Sequence, residues 1–176
     1  MKMLEKLSAL EDAMNMLSSN ARVIFVGQNV VYPGAATFKA LAGVPEAQRV
    51  EFPVAEDMQM GFCIGLSLLG YIPVCIYPRF DFLVLAMNQL VNHLDKLRTA
   101  SQDAWKPGVI IRTRVGAKRP LDAGPQHTQD HTVALCSMFQ SVKVVSIYSD
   151  YQAFATYSGA LDRAERGYSS VVVEAM

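Results

Sequence analysis

The sequence predicts an α/β fold of three layers, a parallel sheet of about six strands between helices on both faces. Short apolar and β-branched runs alternate along the chain with longer amphipathic stretches, which is typical of strands joined by helical crossovers. The clearest example is 50–92, which reads as strand, helix, strand, helix. Two strands joined by a helix of this length form a right-handed parallel unit.

Six strands are predicted from apolar runs that are mostly β-branched, as suits buried parallel strands: 22–26, 50–54, 72–77, 108–113, 142–148 and 170–174. The segments between them predict helices at 4–17, 37–41, 58–69, 81–99, 130–139 and 151–166. Asp130 is a suitable cap for the fifth helix. The segment 114–129 shows no periodicity and carries a basic cluster, Arg114, Lys118 and Arg119. Loops of this length are often functional, although a solvated surface excursion is the alternative.

Composition excludes several functional classes. At 176 residues the chain is long enough for one domain with a full core. The net charge is zero, so nucleic acid is not expected as a partner. Although 51% of the residues are hydrophobic, no apolar run approaches the ~20 residues of a membrane span, so no membrane association is expected. The amino terminus lacks the apolar core of a signal peptide, which favours a cytoplasmic protein.

The cysteines agree with a reducing compartment. Cys63, Cys75 and Cys136 are isolated in apolar settings without paired spacing. We therefore expect three reduced core residues and neither a disulfide nor a zinc site.

Two residues stand where a ligand would bind. In open parallel sheets, ligands bind at the carboxyl ends of the strands. Glu56 and Phe82 follow two strands that are consecutive in sequence. A carboxylate and an aromatic ring at one rim can hold a flat heterocycle.

The central stretch carries a set of short motifs in a fixed order: Pro53 to Glu56, Gly61, Gly65, Gly70, Pro73-Val74, Asp81-Phe82 and Gln89 to Asn92, followed by Ile111-Arg112 and His127-Thr128-Gln129. In order and spacing they resemble the pyrimidine-binding domain of thiamine-diphosphate enzymes. The resemblance is closest to the beta subunit of the 2-oxoacid dehydrogenase decarboxylating component, and more broadly to the central domain of transketolase-like enzymes. It extends from about residue 22 to the end of the chain.

The resemblance implies roles for three side chains. Glu56 would hydrogen-bond the pyrimidine nitrogen and so generate the imino form of the cofactor. Phe82 would stack on the pyrimidine ring, with Phe80 and Tyr77 as alternatives. His127 would face the 2-oxoacid or acyl group as acid, base or donor. The alternatives are that Glu56 complements a helix amino terminus, that Phe82 is a core residue and that His127 is an ordinary loop residue.

Three further positions match the family less specifically. Gly27 ends the first strand and is assigned to cofactor binding, although Gln28 stands where relatives commonly have an acidic residue. Arg112 and Gln129 are assigned weakly to the substrate; a structural ion pair is the alternative for Arg112. Relatives usually have Glu-hydrophobic-Gln-Phe before the Asp, and 76–79 departs from this pattern. The wall of the substrate pocket or the subunit contact there is therefore expected to differ.

The chain contains no Gly-Asp-Gly, the motif with which relatives hold the diphosphate through magnesium. We therefore expect 1–176 to be a single pyrimidine-binding domain, with neither a diphosphate-binding domain nor a transketolase C-terminal domain, and with no metal ligands of its own. The diphosphate and Mg²⁺ would be bound by an alpha-type partner carrying Gly-Asp-Gly, and the resemblance implies an alpha2beta2 heterotetramer. The helices at 58–69 and 81–99 would contribute apolar surface to that interface.

The function expected from the resemblance is that of a pyrimidine-binding subunit of a split, heteromeric thiamine-diphosphate enzyme. It would act on a 2-oxoacid as a decarboxylase, carboligase or dehydrogenase component. One alternative is a transketolase-like subunit that transfers a ketol group from a ketose donor. An alternative of another class is a non-catalytic scaffold or regulatory subunit. A flavodoxin-like nucleotide binder is disfavoured because no glycine-rich phosphate loop follows the first strand.

Overall fold

The computed structural model describes residues 2–118 and 122–175, with side chains from residue 9 onward. Its centre is a six-stranded sheet with the order β2-β1-β3-β4-β6-β5, in which every neighbouring pair is parallel. The strands are β1 (Val23–Gly27), β2 (Arg49–Glu51), β3 (Ile72–Ile76), β4 (Ile110–Arg114), β5 (Lys143–Ile147) and β6 (Ser170–Glu174). All six predicted strands are therefore present, within a few residues of the expected bounds.

The described residues form seven α-helices: α1 (Lys2–Ser18), which precedes β1, and α2 (Ala36–Lys39), α3 (Glu56–Leu68), α4 (Phe80–Leu83), α5 (Leu97–Ala100), α6 (Thr132–Met138) and α7 (Asp150–Glu165) between the strands. Glu46–Gln48 and Pro125–His127 form short 3₁₀ turns. α1 packs on α7 over one face of the sheet, while α3 packs on the other face against β3 and the helical turns that follow it.

Two apolar cores confirm the three-layer arrangement. Successive strand residues point to opposite faces, so Phe25 lies in the core beneath α1 and α7, and Val26 lies in the core on the α3 side. β3 and its neighbours are buried along nearly their whole length, as central parallel strands are.

β2 is shorter than predicted. Phe52 makes the last contact with β1 by donating its N–H to the carbonyl of Gly27 (2.9 Å). Pro53 follows and has no N–H to continue the ladder. The chain therefore leaves the edge of the sheet earlier than its apolar pattern indicates, and reaches Glu56 through an irregular segment.

The helical segment predicted at 81–99 is present, but it is not one regular α-helix. The segment consists of α4, a 3₁₀ turn at Val84–Ala86, a π-helical turn at Gln89–Leu94 and α5. Its buried residues, Leu83, Ala86, Leu90 and Leu94, are spaced three or four apart. This spacing is that of an ordinary amphipathic helix, so the pattern alone could not reveal the change in helical pitch.

The cysteine prediction is only partly right. Cys63 and Cys75 are buried and free, as expected, but Cys136 is exposed. Cys136 lies on α6, where Leu135 is the buried residue, so the two neighbours face opposite sides of a short helix. Among the described residues, no helix combines the length and apolarity required to cross a membrane.

Candidate functional site at the carboxyl edge of the sheet

The register of the strands brings the candidate residues to one edge. Gly27 at the end of β1 is the partner of Ile76 at the end of β3, and Ile76 is the partner of Arg112 in β4. Because the strands are parallel, the segments that follow them all emerge on the same side of the sheet.

Glu56 is the first residue of α3 and is only 7% exposed. The Gln28 side-chain amide donates to Glu56 Oε1 at 3.4 Å, and the Tyr77 hydroxyl donates to the Glu56 carbonyl at 2.9 Å. The second carboxylate oxygen, Oε2, receives no hydrogen bond from the described residues and is not fully buried. Glu56 and Asp57 also occupy the first turn of α3, where negative charge is favourable, so the position suits both of its predicted roles.

Gly27 has a packing reason to be glycine. A Cβ built at this position would lie 2.6 Å from the carbonyl oxygen of Ile76. The residue therefore allows β1 and β3 to approach at their carboxyl ends, next to Gln28 and Tyr77.

Phe82 and His127 are brought together although they are far apart in sequence. Their ring centroids are 5.6 Å apart, and the planes meet at 87°. Both side chains are half-buried, and His127 Nδ1 is buried without a hydrogen-bond partner in the described chain. The alternatives to Phe82, Phe80 and Tyr77, are each 1% exposed and lie in the core.

Asp81 and Gln129 hold this aromatic pair in place. The backbone N–H and side-chain amide of Gln129 both donate to Asp81 Oδ1, at 3.4 and 2.9 Å. On the other side of the loop, a Cβ at Gly116 would lie 1.8 Å from the His127 carbonyl oxygen, so the two backbones are in close contact. The sequence predicts only a helix start at Asp81. The pairing was missed because the partners are 48 positions apart.

A hydrogen bond connects the helical segment that follows Phe82 with the helix that begins at Glu56. The Gln89 amide donates to Asp57 Oδ2 at 3.2 Å, which ties the helical segment after α4 to the first turn of α3. Glu56 begins that same turn. Glu56 therefore lies at the start of α3, and the Phe82–His127 pair lies at α4, at the other end of the connected segment.

Arg112 forms an ion pair within the chain. Its Nε donates to Glu174 Oε1 (2.7 Å) and its Nη2 to Oε2 (3.3 Å), while the Tyr157 hydroxyl donates to Oε1 (2.7 Å). Burial alone would lower the pKa of Arg112, but the adjacent charge of Glu174 raises it above its ordinary value. Burial and Glu174 both raise the pKa of Tyr157. Of the two predictions for Arg112, the structure supports the internal ion pair.

Glu51 fixes the loop after β1. Its carboxylate accepts the backbone N–H groups of Asn29 (2.6 Å), Val30 (2.9 Å) and Val31 (3.1 Å). Asn29 adopts a positive φ of 59° in this turn. No motif in the sequence indicated this contact, because it depends on the register between β1 and β2.

Of the basic cluster predicted in the long loop, Arg114 is half-buried at the end of β4 and Lys118 is exposed. Arg119 lies outside the described residues. Within 2–118 and 122–175, no group of three or more His, Cys, Asp and Glu side chains is arranged to hold a metal ion.

Comparison with known protein families gives a match over nearly the whole chain. The model of the family described as transketolase, pyrimidine binding domain, matches residues 4–175. The chain belongs to this family. The family implies dependence on thiamine diphosphate.

Relatives of this pyrimidine-binding domain include beta subunits of 2-oxoacid dehydrogenases. The chain is 30% identical to "Pyruvate dehydrogenase E1 component subunit beta" of Chaetosphaeridium globosum over 76% of its own length and 40% of that protein. It is 31% identical to "2-oxoisovalerate dehydrogenase subunit beta" of Bacillus subtilis (strain 168) over 60% of its length and 35% of that protein. The chain thus spans less than half the length of these relatives.

A solved structure shares the fold. The inactive beta4 tetramer of a split-gene transketolase superimposes with a TM-score of 0.72 and 18% sequence identity, covering 96% of this chain and 50% of that one. This likeness agrees with the six-stranded, three-layer architecture described above.

Proposed function

We propose that this chain is the pyrimidine-binding subunit of a split, heteromeric thiamine-diphosphate enzyme that acts on a 2-oxoacid. The observation that carries the proposal is the state of Glu56. Its carboxyl group is almost fully buried at the carboxyl edge of the sheet, yet one of its oxygens has no partner among the described residues. An oxygen that keeps access and has no partner, on an otherwise buried carboxyl group, is free to accept a hydrogen bond from a ligand at this edge of the sheet.

The residues present fit the aminopyrimidine of the cofactor. Glu56 Oε2 is free to bond a ring nitrogen, while Gln28 and Tyr77 hold the rest of the residue in position. Phe82 offers a half-exposed aromatic face near the start of α4. When bound, thiamine diphosphate supplies a carbanion that adds to a carbonyl carbon. Glu56 would exchange a proton with the pyrimidine nitrogen, and so act as the acid–base group of this subunit.

His127 is proposed to face the substrate. Its ring lies edge-on against Phe82, and the Asp81–Gln129 hydrogen bonds fix its loop. A neutral imidazole has one donor and one acceptor nitrogen, and Nδ1 is left without a partner in the described chain. His127 can therefore donate to, or take a proton from, a substrate oxygen. Gln129 is engaged with Asp81, so we assign it a positioning role and no longer a substrate contact.

The diphosphate half of the site is proposed to lie on a partner subunit. The sequence contains no Gly-Asp-Gly, and the matched relatives are named as beta subunits. Several large apolar side chains on α3 and the later helical segment are exposed: Met58, Phe62, Leu68, Val84 and Leu85. Exposed apolar surface of this kind typically marks a protein interface. An alpha-type partner that binds Mg²⁺ and diphosphate, in an alpha2beta2 assembly, would cover it.

Two alternatives to a 2-oxoacid enzyme remain specific enough to test. Ketol transfer is favoured by the structural similarity to a split-gene transketolase, whereas the relatives named for pyruvate and 2-oxoisovalerate favour a 2-oxoacid. A scaffold subunit would explain the fold and the interface, but gives no reason for the unpartnered oxygen of Glu56.

The test is to co-express this chain with a partner that carries Gly-Asp-Gly, and to titrate thiamine diphosphate with magnesium by calorimetry. We expect magnesium-dependent binding by the pair and weak binding by this chain alone. The matched variants are Glu56→Gln and Asp57→Asn, each of which removes one negative charge from the first turn of α3.

If Glu56 only complements the helix amino terminus, the two variants will have similar effects. If it activates the cofactor, only Glu56→Gln will abolish decarboxylation of a 2-oxoacid by the pair. Equal, near wild-type turnover in both variants would leave the scaffold as the better account.

A further inference from the structure

A second feature of the carboxyl edge is a cavity of about 290 Å³ above the ends of β3, β4 and β6. The loop after β1 lines it on one side through Asn29 and Ala35–Thr37, and Tyr77–Arg79 line it on another. The floor is formed by Arg112–Arg114 and Glu174. Its volume is at the lower end of the ~300–1,000 Å³ typical of ligand pockets, so it suits a small molecule.

The charges that line this cavity do not balance. Arg79, Arg112 and Arg114 contribute three guanidinium groups, and Glu174 is the one carboxylate among the lining residues. Neither Arg79 nor Arg114 forms a salt bridge with any residue in the part of the chain that the structure describes. Two positive charges are therefore in excess at a partly enclosed site.

Glu174 is already engaged by other residues of the chain and pairs with neither of these two arginines. Its Oε1 already accepts hydrogen bonds from Arg112 and Tyr157, and its Oε2 accepts a bond from Arg112. Arg114 is half-buried beside this pair. Burial lowers the pKa of Arg114, and the charges of Arg79 and Arg112 lower it further against the opposing effect of Glu174. The three cations therefore repel one another in the absence of an added anion.

A buried polar atom of Arg112 also lacks a partner. Arg112 is 6% exposed, and its Nη1 has no hydrogen-bond acceptor within the described residues. Buried donors without partners are rare in folded proteins and point to a missing ligand or ion.

We propose that this cavity binds an oxyanion, the carboxylate or phosphate group of a small molecule, through Arg79 and Arg114 above Arg112. Guanidinium groups bind the paired oxygens of both anions with two parallel hydrogen bonds. The proposal uses only residues of this chain and does not depend on thiamine diphosphate. It can therefore hold even where the proposed function fails.

The test uses the 176-residue chain at constant ionic strength, titrated separately with inorganic phosphate and with pyruvate. Binding is followed by calorimetry and by NMR shifts of the backbone amides of residues 112–114. The variants are Arg79→Gln and Arg114→Gln, with Arg114→Lys to retain the charge without the planar group. The control is Arg166→Gln, which removes an exposed arginine at the opposite edge of the sheet.

We expect a dissociation constant of ~1 mM or tighter for at least one anion. Arg79→Gln and Arg114→Gln should each weaken binding about tenfold or more, Arg114→Lys less, and Arg166→Gln not at all. Binding of pyruvate alone would identify a carboxylate site, binding of phosphate alone a phosphate site, and mutual competition a site for both.

The proposal is overturned if neither anion binds at millimolar concentrations, or if Arg166→Gln weakens binding as much as Arg114→Gln does. Circular dichroism establishes whether each variant is folded. If Arg114→Gln does not fold, Arg79→Gln tests the site independently.

Discussion

Glu56 and Glu174 lie at the same edge of the same sheet, and both are almost fully buried, with 7% and 4% of their surface exposed. Their surroundings differ. Glu174 is paired with Arg112 and accepts a further bond from Tyr157, so both of its oxygens are satisfied. Glu56 receives one long hydrogen bond from Gln28 on a single oxygen. Equal burial therefore corresponds to a structural role in one case and, as we propose, to a functional role in the other.

The same contrast applies to the other fully engaged carboxylates. Glu51 accepts three backbone N–H groups, and Asp95 accepts the N–H groups of Gln140, Ser141 and Val142. Each of these holds a loop against the sheet or helices. A largely buried carboxylate that keeps one oxygen free for a ligand, as Glu56 does, is the more informative case.

The largest expected effect is on catalysis. Glu56→Gln in the assembled enzyme should lower turnover by ~10²–10⁴-fold, the range typical of losing a general acid–base group. The amide keeps the size of the side chain and the carbonyl contact to Tyr77, so the thermal midpoint should stay close to that of the wild type. Steady-state turnover and thermal unfolding of the same preparation measure both quantities.

Glu174→Gln should have the opposite profile. Removing the partner of a buried ion pair leaves the Arg112 charge uncompensated, and the free energy of unfolding should fall by about 3–5 kcal/mol. Urea denaturation measures the loss. The control is Glu165→Gln, which breaks the exposed pair with Arg22 and should cost less than ~1 kcal/mol. Similar losses at Glu56 and Glu174 would remove the distinction drawn between them.

Asp95 is a second structural carboxylate, and its contribution to stability should depend on pH. Burial alone would raise the pKa of Asp95, but the hydrogen bonds from Lys96 and from three backbone N–H groups lower it from 3.8 to about 2. Because the folded pKa is depressed, this contribution to stability is present above pH 3.8 and is lost as the pH falls towards 2. Asp95→Asn should lower the free energy of unfolding at pH 7 by about 1.5–3 kcal/mol.

The difference in the free energy of unfolding between wild type and Asp95→Asn should therefore become smaller at acidic pH. Urea denaturation of both proteins, from neutral pH to about pH 3, measures this difference in the free energy of unfolding. A difference that stays constant over the whole range would show that the charge of Asp95 is not responsible.

The smallest expected effect concerns Phe82. Stacking contributes ~0.5–1.5 kcal/mol beyond burial, so Phe82→Leu should weaken thiamine diphosphate binding by the assembled enzyme about 2- to 13-fold. Phe154→Leu, an exposed aromatic position on α7, is the control and should leave the affinity unchanged. Equal affinities in the two variants would exclude Phe82 as the stacking residue and leave its contact with His127 as a packing interaction.

The sequence was sufficient for most of the fold. Central parallel strands are buried on both faces, so they appear as continuous apolar runs that can be read directly, and all six were found. The sequence was insufficient where two kinds of local structure have the same spacing of apolar residues. The buried residues between Leu83 and Leu94 have helical spacing whether the turns are α, 3₁₀ or π. Cys136 likewise lies in an apolar stretch, but it faces solvent because α6 buries only its other face.

The family, the strand order along the chain and the positions of Glu56, Phe82 and His127 were determined by the sequence itself, because local motifs carry them. The partners of those residues were decided only by the tertiary structure. Arg112 meets Glu174 across 62 positions, and Asp81 meets Gln129 across 48. Such pairs depend on strand register and loop packing. A carboxylate in a sequence looks the same whether the fold satisfies it, as at Glu174, or leaves one of its oxygens without a partner, as at Glu56.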